Sequence, residues 1–366
     1  MSSRLSLAPA VLVFAASLVA ADVCAAQDPA ALARAGTAAL ENHRFGDALD
    51  AFTRAAALQP GDASVCFGAG LAAFMLGQNE VAQARFECAL AINPKHLPAA
   101  LWLGDLHYRA GRLHDAIAIY EAAGQRSPEA QEVQDALAVW RKEHELQSRF
   151  HEVRTVHFTA LFELATDQPL AREVLDRLEA AYARVGATLG VYPSQPITIV
   201  LYSREQFAGI TRLADWSVAA YDGRIRVPIG GAPAQRDELD RVLSHEFVHA
   251  VVAMLAGRAV PAWVNEGLAT VLEPAGAQDA EAVLARSGAR PALATLHRGF
   301  VGFSRRDAEV AYASAARAVR RLIEHRGPAP LVALLEDLGR GTPFARAFRQ
   351  RIEMRYEEFA TLVARD

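Results

Sequence analysis

Pro60, Pro94 and Pro128 stand 34 residues apart, and no other feature limits so tightly what this chain can fold into. The same step links Gly36, Gly70 and Gly104, then Ala48, Ala82 and Ala116, then Phe52, Phe86 and Tyr120, then Ala55, Ala89 and Ala123. Columns in a common register demand one structural unit used repeatedly. Each unit reads as two amphipathic helices: small residues where the paired helices approach closely, an aromatic ring plugging the seam, and a proline stopping the second helix. Such a unit cannot bury its apolar face alone, so neighbours must stack. The units cover about residues 29 to 130, and the apolar-periodic stretch Ala130 to Arg149 is expected to be a capping helix, which closes the repeat region near residue 150.

The length of the period and its small, aromatic and proline positions resemble the tetratricopeptide repeat. The resemblance implies a helical solenoid whose concave groove binds a peptide or a protein partner. A spacer that positions the rest of the chain is the other reading of the same repeats.

Ahead of the repeats, Met1 to Ala26 has one positive charge at Arg4, an apolar run from Leu7 to Ala21, and small residues ending in Cys24-Ala25-Ala26. That layout predicts a signal peptide over residues 1–26, with Ala21 as a second cleavage point, and hence an exported protein, periplasmic or secreted. No later stretch approaches the length of a membrane span, so none is expected in the mature chain. An apolar fraction of 52% excludes a disordered chain, and a net charge of -4 with scattered arginines offers nucleic acid no basic surface. Export would permit a disulfide between Cys66 and Cys88; small buried residues are the preferred reading of both.

Beyond residue 150 the period changes, and an α+β domain is expected over 151–366. Val156 to Phe162 alternates as a strand, Leu170 to Leu189 is an amphipathic helix, and Pro196 to Tyr202 reads as a buried strand. Asp222-Gly223 predicts a hairpin between Val218–Tyr221 and Arg224–Pro228, and Pro228 suggests that the second strand lies at a sheet edge, open to an extended peptide. From Asp237 onward the pattern is helical.

The chemistry lies in His245-Glu246-Phe247-Val248-His249. Residues four apart share a helix face, so His245 and His249 can offer imidazoles to one ion, while Glu246, rotated about 100° from His245, can reach an attacking water as general base. A catalytic zinc needs a third protein ligand. Gly257 ends the helix, Pro261 starts the next, and that helix carries Glu266, 17 residues after His249. Glu273, one heptad later, is the alternative ligand.

These residues, with Asn265-Glu266-Gly267-Leu268-Ala269, resemble the gluzincin zinc peptidases, and most closely the peptidase MA-like domain of bacterial tetratricopeptide-repeat proteins. The likeness runs from about Thr155 to Gly341. It implies one zinc held by His245, His249 and Glu266, and hydrolysis of peptide bonds with Glu246 activating the water. Thermolysin-like members place an Asp four residues after the ligand Glu to support a zinc-bound His; Thr270 stands there, which leaves that support weak or absent. Zinc aminopeptidases supply the oxyanion donor from a Tyr beginning a downstream helix, and Tyr312 occupies the similar place, with His297 as a second candidate and a core Tyr as the plain alternative. No Gly-x-Met-Glu-Asn run precedes the metal helix, which argues for internal cleavage of a peptide or protein substrate. The competing reading is a protein-binding repeat scaffold with a catalytically inactive peptidase-like domain; a weaker third is hydrolysis of a non-peptide amide.

Overall fold

A computed structural model describes residues 28–211, 220–228, 236–288, 291–300 and 302–365. The expected signal peptide, and Val218-Ala219 of the expected hairpin, lie outside the described residues. The repeats form helix pairs α1 (Pro29–Glu41) with α2 (Phe45–Leu58), α3 (Ala63–Met75) with α4 (Asn79–Ile92), and α5 (Leu97–Arg109) with α6 (Leu113–Arg126). The glycine and aromatic columns become contacts. The rings of Phe52, Phe86 and Tyr120 lie on Gly36, Gly70 and Gly104 so closely that a Cβ there would collide with them. The turn inside each pair carries a left-handed residue at His43, Gly77 and Gly111, again 34 apart. Helix α7 (Gln131–Gln147) covers the last pair, burying Val133, Leu137 and Trp140 against Leu113, Ile117 and Tyr120.

Cys66 and Cys88 are joined in a disulfide between α3 and α4. This corrects the expectation of two unpaired buried residues. The repeat geometry brings their Cα atoms to 6.0 Å, inside the span a disulfide bridges.

The second domain begins with β1 (His151–Arg154) and β2 (Phe158–Phe162), followed by α8 (Gln168–Leu189), β3 (Ile197–Tyr202) and α9 (Arg204–Thr211). Strands β4 (Ala220–Tyr221) and β5 (Ile225–Pro228) complete a sheet of order β1-β2-β3-β5-β4, parallel at its centre and antiparallel at both edges. The run from Val156 is shorter as a strand than its alternation predicts. The Thr155 amide donates to the Phe158 carbonyl at 2.9 Å, so residues 155–158 turn the chain between β1 and β2. Strand β5 is not at the edge. It pairs with β3 on one side and β4 on the other, and Pro228 is tolerated because it is the last residue of the strand.

Helices α10 (Arg236–Ala256), α11 (Ala262–Leu272), α12 (Gly276–Ser287), α13 (Arg305–Arg326), α14 (Ala329–Gly339), α15 (Phe344–Ile352) and α16 (Tyr356–Arg365) follow. One sheet face, through Phe158, Ile199, Leu201, Ile225 and Val227, packs on α8 and α10 in the main core. The opposite face is covered by α9 and by α7, with Val200 and Tyr202 buried against Leu146, Phe207 and Ile210. The capping helix of the repeats is thus also a layer of the second domain.

Charge reinforces this junction. Glu143 of α7 is fully buried and accepts from Arg226 Nη1 at 2.7 Å, Tyr202 Oη at 2.8 Å and Tyr108 Oη at 2.7 Å. Arg224 adds a longer bond at 3.3 Å, and Arg226 also donates to Asp222 at 2.8 Å. Two arginines against two carboxylates balance the charge. The repeat turns also dock along the second domain: Gly46 meets Gly341, Gly77 meets Gly257, and Gly111 meets Arg224. At the middle turn the Arg258 amide donates to the Met75 carbonyl at 2.9 Å.

Candidate metal centre

The site is built on two antiparallel helices. Helix α10 is held by Leu243, Phe247, Val248 and Val251, all buried, which leaves the His245, Glu246 and His249 positions turned toward a cleft. Gly257, at φ 61°, ends it, and Pro261 immediately precedes α11, whose Trp263, Val264 and Leu268 are fully buried. The return helix brings Glu266 to the imidazoles. Glu266 Oε2 lies 3.4 Å from His245 Nε2 and 3.4 Å from His249 Nε2. Ligand atoms about 2.1 Å from a tetrahedral ion stand roughly 3.4 Å from one another. The three side chains therefore fit a divalent ion of zinc size. The Glu266 Oε2 atom supports the same reading, since it is buried without a hydrogen-bond donor at this centre.

The outer ring nitrogens are engaged. His245 Nδ1 is 2.6 Å from Glu273 Oε1, and His249 Nδ1 is 3.0 Å from Asn265 Oδ1. Both partners are acceptors, so each Nδ1 donates and each Nε2 is aimed inward with its lone pair available for an ion. Glu273 follows the last residue of α11, is itself buried, and is anchored by Arg241 Nη1 at 3.2 Å. Heptad spacing marks Glu273 as a rival ligand; the fold makes it the support of His245. The expectation that such support is weak or absent is thereby corrected. Thr270 spends its hydroxyl on the Glu266 carbonyl at 2.8 Å, and the carboxylate arrives from three residues further on. Asn265, inside the quoted motif, supports the second histidine, a task the motif alone does not reveal.

Electrostatics agree with the geometry. Burial works against a charge on His245, yet the neighbouring carboxylates of Glu266 and Glu273 override it and push its pKa up to about 10. For His249 burial is likewise outweighed by Glu266. Burial would raise the Glu266 carboxyl, but His249 and His245 hold it well below the usual carboxylate range. A field that favours protons on two buried imidazoles also favours a divalent cation. Glu246 differs: it is buried, burial raises its pKa, and Oε2 has no hydrogen-bond partner. A carboxylate so placed is more basic than one in water.

Tyr312, in the second turn of α13, is half-buried at the cleft, its ring 6.2 Å from that of His245 and edge-on to Phe300 at 5.0 Å. Burial, then Glu266 and Glu246, raises its pKa, so it remains a hydroxyl donor. His297 is placed elsewhere. Its ring packs on Phe344 and Tyr356, and its carbonyl accepts from the Ala262 amide at 3.0 Å, so it orders the start of α11 rather than facing the cleft. Gly267 lets α11 approach α13, because a Cβ there would meet the Ala315 carbonyl and Val319.

The cleft encloses about 1620 Å³. One wall carries the His245, His249 and Glu266 centre, and the other is built by the repeats through Asn79, Gln83, Arg109 and Arg112.

A family model described as Peptidase MA superfamily matches residues 178–355, and tetratricopeptide-repeat models match residues 33–80 and 73–139. The chain carries a Peptidase MA superfamily domain behind tetratricopeptide repeats. Among solved structures, the first TPR of Spaghetti (RPAP3) bound to the HSP90 peptide SRMEEVD is similar at 20% identity, covering 32% of this chain and 97% of that one with a TM-score of 0.31. No curated protein matches the chain. The Peptidase MA match includes α10, α11 and α13, which carry His245, Glu246, His249, Glu266 and Tyr312, and it starts within α8, after β1 and β2.

Proposed function

We propose that this chain is an exported zinc endopeptidase of the gluzincin type, cutting extended peptide segments held between its peptidase domain and its repeats. The observation that carries this reading is the convergence of His245 Nε2 and His249 Nε2 on Glu266 Oε2, each at 3.4 Å and all three within 4.8 Å of one another, beside the buried Glu246. One zinc per chain, held by those three residues, would polarise the scissile carbonyl and lower the pKa of its water. Glu246 takes the proton of the attacking water and later delivers it to the leaving amine. Tyr312 donates its hydroxyl to the oxyanion. Glu273 and Asn265 fix the imidazole orientations, which removes reorganisation from the reaction. The intact pair of supports, together with Glu246, weighs against an inactive scaffold, for which neither is needed.

Export rests on the amino-terminal pattern and is supported by the Cys66–Cys88 disulfide, a bond favoured in oxidising compartments. Among the described residues no helix is long and apolar enough to cross a membrane. The decisive experiment combines metal analysis with Glu246→Gln. About one zinc per chain is expected in both proteins, with cleavage of an unfolded casein substrate abolished only in the variant. A variant that still cleaves removes Glu246 from the mechanism, and a protein that retains no zinc removes the centre.

A further inference from the structure

Arg258 is a charged side chain that the zinc chemistry does not use. It follows the left-handed Gly257 at the end of α10 and lines the cleft. The repeats hold it in place: its guanidinium sits 3.7 Å over the Phe74 ring, and Nη1 donates to the Phe74 carbonyl at 2.9 Å and to Asn79 Oδ1 at 3.3 Å. Every other cleft arginine has a carboxylate. Arg109 is bound to Asp105 at 2.6 Å, Arg112 lies 3.9 Å from Asp115, and Arg224 pairs with Glu143. Among the described residues no carboxylate lies within 4 Å of Arg258, and its Nε and Nη2 make no hydrogen bond. Tyr221, on the edge strand β4, also lines the cleft, and its hydroxyl is unengaged among the described residues. Burial, and then the neighbouring Arg109, pushes the Arg258 pKa down to about 10, so the guanidinium gains from an anion.

We infer that Arg258, with the Tyr221 hydroxyl, forms a subsite for a carboxylate of the bound peptide. The repeats fix that subsite and the peptidase domain supplies its charge. From His249 to Ala256, the last residue of α10, the helix rises roughly 10 Å, and Arg258 follows just past the turn at Gly257, an interval an extended peptide covers in roughly four residues. The carboxylate is an Asp or Glu side chain about that far from the scissile bond, or the carboxyl terminus of a short substrate. A planar guanidinium with three N–H donors unspent, on Nε and Nη2, suits either. The inference rests on the peptidase reading only for the position of the scissile bond; binding of the carboxylate does not depend on cleavage.

The test uses the full-length zinc-loaded protein and fluorescent peptides in matched pairs: Glu against Gln at each position within five residues of the cleavage site, and free carboxyl terminus against amide. Affinity is read by anisotropy on the Glu246→Gln protein, and kcat/KM on the protein with Glu246 intact. About tenfold preference for the carboxylate peptide at one position is expected in both readouts. The ratio should fall toward one in Arg258→Gln and be largely restored in Arg258→Lys, which keeps the charge if not the fork. Preference at an internal position assigns a side chain, and preference confined to the free terminus assigns the substrate end. Equal binding of all pairs, or a preference that survives Arg258→Gln, overturns the subsite. If no peptide is cleaved but the carboxylate preference is present and depends on Arg258, the peptidase reading fails and the subsite stands.

Discussion

An imidazole that binds a cation through Nε2 is held by whatever its Nδ1 donates to. At His245 that acceptor is Glu273 Oε1 at 2.6 Å, a charge-assisted bond inside a buried pocket. Removing it frees the ring to rotate and withdraws a carboxylate from the field around the ion. Glu273→Ala is therefore expected to weaken zinc affinity about 10–100-fold, measured by chelator competition, with α10 and α11 still folded. Unchanged affinity would return Glu273 to a packing role. Tyr312 makes the complementary case. Its ring contacts Phe300 and survives in Tyr312→Phe, so the variant isolates the hydroxyl. Turnover should drop about 10²-fold with the melting temperature little altered, and wild-type turnover would leave Tyr312 a packing residue.

At the scale of elements, the helix pair matters more than any one ligand, because the centre exists only while α11 returns beside α10 and α13 stays close behind. Gly267 sets the second distance. Gly267→Ala forces the helices apart or strains them, a cost of about 1–3 kcal/mol, and it shifts Tyr312 relative to Glu266. Both a lower melting temperature and lower turnover are expected; a variant losing neither would mean that α13 yields freely. The elements most legible in the sequence are those with long apolar periodicity. The repeat columns, α8, α10 and α11 all lie where spacing places them, since a buried helix face leaves a periodic record. Strand β1 left none: His151-Glu152-Val153-Arg154 is an exposed edge with no alternation to read. The interior place of β5 was hidden for another reason. Arg226 and Arg224, the residue just before the strand, look like a solvated face, and only the distant Glu143 makes burying them tolerable. The task of Glu273 was hidden similarly, since spacing shows which residues share a face but not which of two carboxylates reaches the inner nitrogen.

For the whole molecule, the question is what keeps the repeat wall in register with the wall that carries His245, His249 and Glu266. Shape does part of it through the three docked turns, and the buried cluster around Glu143 does the rest. Burial would raise the Glu143 carboxyl, but Arg226 and then Arg224 hold it below the usual carboxylate range. A carboxylate whose folded pKa is depressed stabilises fully above its unfolded value, about 4.3, and loses that contribution as pH falls through the folded value. Glu143→Gln leaves Arg224 and Arg226 facing a neutral amide, so near pH 7 it should destabilise by about 3–5 kcal/mol. At low pH the wild-type side chain is itself neutral and nearly the same shape. The gap in melting temperature between wild type and Glu143→Gln should therefore be wide at pH 7 and narrow progressively as the pH falls below about 4.3 toward the lower folded value. A gap that stays constant across that range would show that Glu143 acts through packing and hydrogen bonds alone. In that event the two walls would be held by the glycine turns, and the cleft would keep its width in acid.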